Sequence, residues 1–297
     1  MQSVSGGSGQ MDDRAEHVAI RQRAPLQNGD VKKIGDVEAI SGPLSSQALV
    51  LCDHASNAMP PEFGTLGLAP SQLERHIAYD IGAAWLTRRL AARLHCPALL
   101  TSFSRLLIDP NRGLDDPTLV MRLSDGAIVP GNARLDDNQI TERITRFYNP
   151  YDEAMAKTVK TGMEQGCPPA IISVHSFTPV WKGALRPWHV GLLWDRDARL
   201  AEPLFKALRA DTNLVVGDNE PYDGWLEGDT IDRHATCHGL PNVLIEVRQD
   251  LIATRATAEA WADRLADAIE PILFAWRVDT DTANLTQAAR LNVARAS

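Results

Sequence analysis

The sequence has little of what marks a nucleic-acid-binding, membrane or disulfide-stabilised protein. Its 297 residues include 30 Lys and Arg against 38 Asp and Glu, a formal net charge of −8. This acidic balance argues against a nucleic-acid surface, which needs clustered basic side chains. No apolar run approaches the roughly 20 residues that a membrane helix requires. The four cysteines show no CxxC spacing and the N-terminal stretch is polar, so we expect a cytoplasmic protein without nucleic-acid or membrane partners.

Common nucleotide and hydrolase motifs are missing as well. The chain has no GxGxxG after its first apolar run and no GxxxxGK[ST], which argues against a dinucleotide site and a P-loop. It also lacks GxSxG, the nucleophile elbow of α/β-hydrolases, and HExxH. These absences leave metal-assisted hydrolysis as the chemistry that best matches the remaining reactive residues.

From residue 48 onward, short apolar runs alternate with helical patterns. The apolar runs predict strands at Ala48–Asp53, Pro97–Phe103, Ala170–Val174, Val190–Trp194, Leu214–Val216 and Val243–Val247. The helical patterns cover Ser71–His95, Asp137–Gln165, Arg196–Asp211 and Thr257–Trp276. We therefore predict an α/β protein, a single three-layer α/β/α sandwich with a mostly parallel or mixed central sheet. Residues 1–35 are expected to form a flexible leader, and residues 36–297 a single domain.

Two histidines follow or end predicted strands and are candidate metal ligands. His54 and His175 come directly after apolar runs, and ligands bind outside the carboxyl ends of strands in open α/β sheets. Neutral imidazoles at these ends could hold a divalent ion, which in catalytic zinc sites has three protein ligands. Asn57 and Asp80 are the candidates for the third ligand. The chemistry of the donor atom favours the carboxylate.

A carboxylate and several arginines complete the predicted site. Glu246 lies in an apolar strand and shares a face with Arg248, so it could activate water while Arg248 holds an anion. Arg105 and Arg112 follow another strand, and their planar guanidinium groups match carboxylates. Asp109 between them is expected to pair with one of the two. The substrate is therefore predicted to be a small anion.

At these residues the sequence resembles the N-formylglutamate amidohydrolase family, in motifs that span about residues 48–275. The matching stretches are Asp53-His-Ala-Ser-Asn57 with Pro60, Tyr79-Asp-Ile-Gly82, Ser104-Arg-Leu with Asp109-Pro-Asn-Arg112, Val174-His-Ser-Phe177, Gly217-Asp-Asn-Glu-Pro-Tyr222, His234 and Ile245-Glu-Val-Arg-Gln-Asp-Leu251. The family looks like a distant relative of zinc carboxypeptidases and related deacylases. The resemblance thus implies a zinc-exopeptidase-like (phosphorylase/hydrolase-like) fold.

The resemblance also implies a reaction and roles for individual residues. The family forms formate and glutamate in histidine breakdown, so the implied substrate is a small anionic N-acyl amino acid and the implied cofactor a divalent metal, zinc. The assignments are His54 and His175 as metal ligands, Asn57 in the place of a metal-binding glutamate, Asp80 as its substitute, Glu246 and Arg248 as catalytic residues, and Arg105, Asp109, Asn111, Arg112, Glu220, Tyr222 and His234 as substrate-binding residues. An amide at Asn57 departs from the family pattern, because amides are weak zinc ligands.

Two other functions fit the same residues. The site could remove a different acyl group from another small N-acylated acid. Alternatively, the chain could be a metal-free protein that binds small anions through Arg105 and Arg112, a reading that the departure at Asn57 supports.

Overall fold

A seven-stranded mixed sheet forms the middle layer of the protein. The structure, a computed structural model, describes residues 35–296, with side chains for residues 35–277. In the order in which they pair, the strands are β1 (Glu38–Ile40), β3 (Ala98–Leu100), β2 (Ala48–Cys52), β6 (Ala170–Phe177), β11 (Asn242–Arg248), β9 (Val190–Leu193) and β10 (Val216–Asp218). The pairs β1–β3 and β9–β11 are antiparallel, and the other neighbours are parallel.

Helices cover both faces of this sheet. They are α1 (Ala83–Leu94), α2 (Asp137–Arg143), α3 (Asn149–Glu164), α4 (Ala198–Arg209), α5 (Thr230–His234) and α6 (Arg255–Ala296). Side chains alternate along each strand, so Val50 packs with α1, α4 and α6 on one face while Leu49 and Leu51 pack with α3 and α5 on the other. This arrangement confirms the predicted three-layer α/β/α sandwich with a mixed sheet. Among the described helices, none combines the length and the apolarity that crossing a membrane requires.

Two short hairpins lie outside the main sheet. One pairs β4 (Leu123–Ser124) with β5 (Ala127–Ile128), within the Gly-, Pro- and Asp-rich stretch around residues 114–134. The other pairs β7 (Val180–Trp181) with β8 (Ala184–Leu185), directly after β6. Residues from both hairpins line the cavity described below.

Each of the six predicted strands overlaps an observed strand, although the one predicted at Leu214–Val216 shares only Val216 with β10. One long predicted helix is wrong. Residues 71–95 do not form one helix: Pro70–Glu74 is a 3-10 turn, and α1 begins only at Ala83. Between them, the carbonyl of Ala78 accepts hydrogen bonds from the backbone N–H of Arg105 and from the hydroxyl of Ser104. Because this carbonyl bonds to a distant segment, the chain here is not helical. The helix predicted to end at Trp276 instead continues to Ala296.

The N-terminal part of the chain bears on the predicted leader, the first strand and the domain boundaries. The predicted leader, residues 1–35, lies outside the described residues apart from Gly35. β1 was not predicted, because three residues are too few to show a period. The domain boundaries stay a prediction.

Candidate active site

Strand register brings a histidine and a glutamate side by side. His175 lies in β6 and Glu246 in β11, and the two residues are direct partners in the parallel pairing of these strands. Both are on the sheet face that packs against α3 and α5, with Leu244 two residues before Glu246. His54 follows β2, which pairs with β6 on its other side. The three side chains therefore meet at the carboxyl ends of three adjacent strands.

A tight turn brings Asp80 to the same place. The Asp80 N–H donates to the carbonyl of His54 at 2.9 Å. Two residues later Gly82 has a φ of +85°, and a Cβ there would lie 2.2 Å from the carbonyl oxygen of Ile252. Only glycine fits this left-handed, crowded position, so the motif Tyr79-Asp-Ile-Gly82 fixes the direction of Asp80.

The side chains of His54, Asp80 and His175 form a buried cluster, here named the His-Asp-His cluster. One ligand atom from each lies within 4.8 Å of the others. Oδ2 of Asp80 is 3.3 Å from Nδ1 of His54 and 2.9 Å from Nδ1 of His175. The exposed fraction of each residue is at most 4%. Both imidazoles thus present the same ring nitrogen to one carboxylate.

The other ring nitrogen of each histidine is held by a second carboxylate. Nε2 of His54 lies 2.8 Å from Oδ1 of Asp109, and Nε2 of His175 lies 3.1 Å from Oδ2 of Asp53. Such carboxylate–histidine pairs are typical of metal sites, because they fix the tautomer and leave the other nitrogen free to bind the ion. Sequence reasoning gave Asp109 a role near the arginines but did not assign Asp53.

The electrostatics of the cluster favour a cation. Burial opposes the ionisation of Asp53, Asp80 and Asp109, but the histidines, and Arg105 for Asp109, hold the pKa of each carboxyl below its usual value. Burial would lower the pKa of His175, but hydrogen bonds to Asp53 and Asp80 hold it well above its usual value. A bound metal would displace the proton of a histidine ligand, and with the imidazoles then neutral the three carboxylates would outweigh the positive charge of Arg105, which pairs with Asp80 and Asp109. A divalent ion on His54, Asp80 and His175 would balance this excess negative charge, so the residues present fit a metal.

Glu246 lines a cavity of about 430 Å³ that opens beside the cluster. Its exposed fraction is 6%, and its Oε2 atom has no hydrogen-bond partner within the described part of the chain. Burial raises the pKa of the Glu246 carboxyl to about 8, although the positive charges of His175, Arg105 and Arg186 act in the opposite direction. A buried, unpartnered carboxyl at a cavity wall is typical of a catalytic acid or base.

Arginines and an asparagine line the same cavity. Nη2 of Arg105 donates to Oδ2 of Asp109 at 2.7 Å, and Nη1 lies 3.6 Å from Oδ1 of Asp80. Arg112 donates to Thr118 and to the carbonyl of Asn111. The Asn111 side chain accepts the backbone N–H of Thr230 at 3.0 Å. The predicted pairing of Asp109 with one arginine is therefore seen with Arg105.

The structure does not bring every predicted residue to the cavity. The Asn57 amide donates to the carbonyl of Leu73 at 2.9 Å, and Asn57 is not part of the cavity wall, which leaves Asp80 as the third donor beside the histidines. Arg248 pairs with Asp250 and donates to backbone carbonyls of residues 186–188. Two predicted substrate-binding residues also lie outside the cavity wall. Glu220 is exposed on the loop before Tyr222, and Nε2 of His234 lies 2.7 Å from Oδ1 of Asp152.

Two residues near the cavity were missed by sequence reasoning. Asp229 lines the cavity and caps α5, and burial raises the pKa of its carboxyl to about 6. Arg186 is buried beside the cavity-lining residues Trp181 and Tyr222. The short capping pattern at Asp229 was a usable signal, whereas nothing in the sequence around Arg186 distinguishes it from a surface arginine.

The fold and the site define an α/β/α hydrolase with a candidate metal centre. The family model of N-formylglutamate amidohydrolase matches residues 46–253. The chain therefore belongs to the N-formylglutamate amidohydrolase family, which confirms the resemblance drawn from the motifs. It is an amidohydrolase.

Two solved structures share the fold of this chain. Gene product Atu2144 from Agrobacterium tumefaciens is 32% identical, with a TM-score of 0.75, over 81% of this chain and 95% of that chain. N-formylglutamate amidohydrolase from Ralstonia eutropha JMP134 is 20% identical, with a TM-score of 0.58, over 84% of this chain and 100% of that chain. The second similarity supports the fold alone. No curated protein matches the chain.

Proposed function

We propose that this protein hydrolyses the amide bond of a small N-acyl amino acid, with N-formyl-L-glutamate as the first candidate. The observation that carries the proposal is the buried carboxyl of Glu246 beside the His-Asp-His cluster, at the wall of one cavity. Family membership supports the same reaction class. The products would be formate and glutamate.

His54, Asp80 and His175 are the proposed ligands of a divalent ion, and zinc suits two imidazoles and one carboxylate. When bound, such an ion supplies Lewis-acid polarisation of the acyl carbonyl and lowers the pKa of water. Asp109 and Asp53 hold the two imidazoles in the orientation that this role needs.

Glu246 is the proposed proton carrier. It takes a proton from the water that attacks the acyl carbon, and it gives this proton to the nitrogen when the C–N bond breaks. A pKa near 8 lets the carboxyl exchange between its acid and base forms close to neutral pH. The Glu246 carboxylate is regenerated in each cycle, and the second proton of the water stays on the formic acid, which ionises to formate as the amine takes up a proton in solution.

Arg105, Arg112 and Asn111 are the proposed anion-binding residues, because all three line the cavity next to Glu246. A guanidinium can bind a carboxylate through two hydrogen bonds. Arg248, Glu220 and His234 have no place in this mechanism, since their contacts lie elsewhere.

The test combines metal analysis with product analysis. Purified protein is assayed for formate release from N-formylglutamate before and after treatment with a chelator, and its metal content is measured in parallel. We expect a divalent metal in stoichiometric amount, turnover that the chelator abolishes, and recovery when the metal is returned. Full activity in metal-free protein would refute the mechanism.

A substrate panel distinguishes the remaining alternatives. N-formylaspartate and N-acetylglutamate are compared with N-formylglutamate under the same conditions. Faster release of acetate or of aspartate would assign a different small deacylase. Binding of glutamate without turnover of any panel member would identify a protein that only binds small anions.

A further inference from the structure

A buried arginine outside the His-Asp-His cluster is held without an acidic partner. The exposed fraction of Arg186 is 8%, and in the part of the chain with described side chains it forms no salt bridge within 4.0 Å. Its guanidinium instead lies 5.7, 5.3 and 5.0 Å from the ring centroids of Phe177, Trp181 and Tyr222. Buried charges are usually paired, so an arginine in this state needs a reason beyond packing.

The hydrogen bond between Arg186 and Tyr222 supplies that reason. Nη1 of Arg186 donates to the phenolic oxygen of Tyr222 at 3.1 Å and to Oγ1 of Thr178 at 3.2 Å. Because the guanidinium can only donate, the Tyr222 hydroxyl must use its own hydrogen for another acceptor. Burial and the nearby charge of Glu246 raise the pKa of Tyr222, so the phenol keeps this hydrogen at neutral pH.

The position of Tyr222 is fixed by the loop that precedes it. The carbonyl oxygen of Glu220 packs so closely on the sheet that a Cβ at Gly191 would lie 1.9 Å from it, and one at Gly217 would lie 2.8 Å from it. The Asn219 N–H donates to the carbonyl of Leu192 in β9, and its side-chain oxygen accepts the N–H of Trp194, directly after β9. Tyr222 therefore enters the cavity wall from an anchored loop, together with Trp181 from the β7–β8 hairpin.

We propose that Arg186 is a positioning residue that holds Tyr222 as a hydrogen-bond donor to a carboxylate of the substrate. This inference rests on the proposed function, because it assigns a recognition element to the same cavity. Arg105 and Arg112 bind anionic groups directly, whereas Arg186 acts through the phenol that it orients. The pair selects substrates whose carboxylate reaches the wall formed by Tyr222.

Steady-state kinetics of four variants test the pair. Arg186→Met and Tyr222→Phe should each raise KM for the N-acyl amino acid by roughly 10- to 100-fold, the contribution of a hydrogen bond to a charged group. In Tyr222→Phe and Arg186→Lys, which keep the positive charge that acts on Glu246, kcat should stay within about twofold. The double variant should be no worse than Tyr222→Phe alone, because both changes remove one interaction. Arg186→Lys should recover part of the loss, since an ammonium can also donate to the phenol.

Arg209→Met is the matched control. Arg209 also lies over an aromatic ring, that of Phe205 at 4.5 Å, but on α4 and away from the cavity. It should leave KM and kcat unchanged. If Arg186→Met fails to fold, Tyr222→Phe and Arg186→Lys still test the proposal by the same split between KM and kcat.

Direct binding separates this inference from the proposed function. Calorimetric titration of the protein with glutamate should show weaker binding to both Tyr222→Phe and Arg186→Met than to the wild type. A fall in kcat at unchanged KM, additive effects in the double variant, or unaltered glutamate binding would each overturn the role of the pair. Failure of the proposed function is a different result: the wild type would turn over no member of the substrate panel.

Discussion

Replacing Glu246 by glutamine isolates proton transfer from the other contributions to catalysis. The substitution keeps the volume of the side chain and its hydrogen-bonding oxygen, but an amide cannot take up a proton at neutral pH. The three proposed anion-binding residues of the cavity and the His-Asp-His cluster are not altered. We therefore expect kcat to fall while KM stays close to that of the wild type.

The magnitude follows from the role of the group. General acid–base catalysis contributes about 10²–10⁴-fold in rate, which corresponds to roughly 3–5 kcal/mol in the activation free energy. The upper end of the range is expected here, because Glu246 is buried and, among the described residues, none is hydrogen-bonded to Oε2 and able to take over the proton transfer. Thermal stability should not fall, since the variant removes a buried, unpartnered carboxyl rather than a paired one.

The assay is formate release by the purified variant, with metal content and melting temperature measured on the same preparation. Glu259→Gln serves as control, because Glu259 forms an exposed ion pair with Arg255 on α6, and such pairs contribute at most about 1 kcal/mol. The reasoning is refuted if Glu246→Gln retains turnover within about twofold of the wild type at equal metal content.

Three other predictions concern the metal, the fold and pH. Asp80→Asn should reduce metal affinity, measured by competition with a chelator, by more than the roughly 10–100-fold lost when a residue hydrogen-bonded to a metal ligand is replaced; unaltered affinity would remove Asp80 from the ligand set. Gly82→Ala should lower the free energy of unfolding by more than about 1 kcal/mol in urea denaturation, because its Cβ would lie 2.2 Å from the carbonyl of Ile252. Burial opposes ionisation of Asp152, but the hydrogen bond from His234 holds its pKa below the usual 3.8, so its stabilising contribution is present above about pH 4 and lost as the pH falls through the lower value. The stability difference between wild type and Asp152→Asn should therefore narrow below pH 4, and a constant difference would contradict this.

Strand positions could be predicted because burial on both faces leaves a strong local signal. The apolar runs at Ala48 and Val243 gave the strands, and the rule that ligands bind at strand ends pointed to His54 and Glu246. Strand alternation also placed Arg248 beside Glu246. The Arg248 side chain nevertheless turns to Asp250 and to carbonyls of residues 186–188, because contacts outside the strand decide its direction.

The rest depends on contacts between distant parts of the chain. The third donor could not be chosen between Asn57 and Asp80 by spacing, because Asp80 reaches the histidines through a hydrogen bond to the His54 backbone and through the turn at Gly82. Because of the same turn, the helix predicted from Ser71 begins only at Ala83. Arg186 carries no local pattern at all, and its hydrogen bond to Tyr222 forms only where the β7–β8 hairpin and the loop at Tyr222 meet.

The register that pairs His175 with Glu246 places both candidate catalytic side chains on central strands of the sheet. These residues lie within the seven-residue pairing of β6 with β11 in the middle of the sheet. Backbone amides in central strands exchange with solvent only when the whole domain opens, whereas hairpin tips and loops open locally. Local opening of the β4–β5 or β7–β8 hairpin would therefore leave Glu246 beside His175. Separation of His175 from Glu246 and global unfolding should coincide in this enzyme.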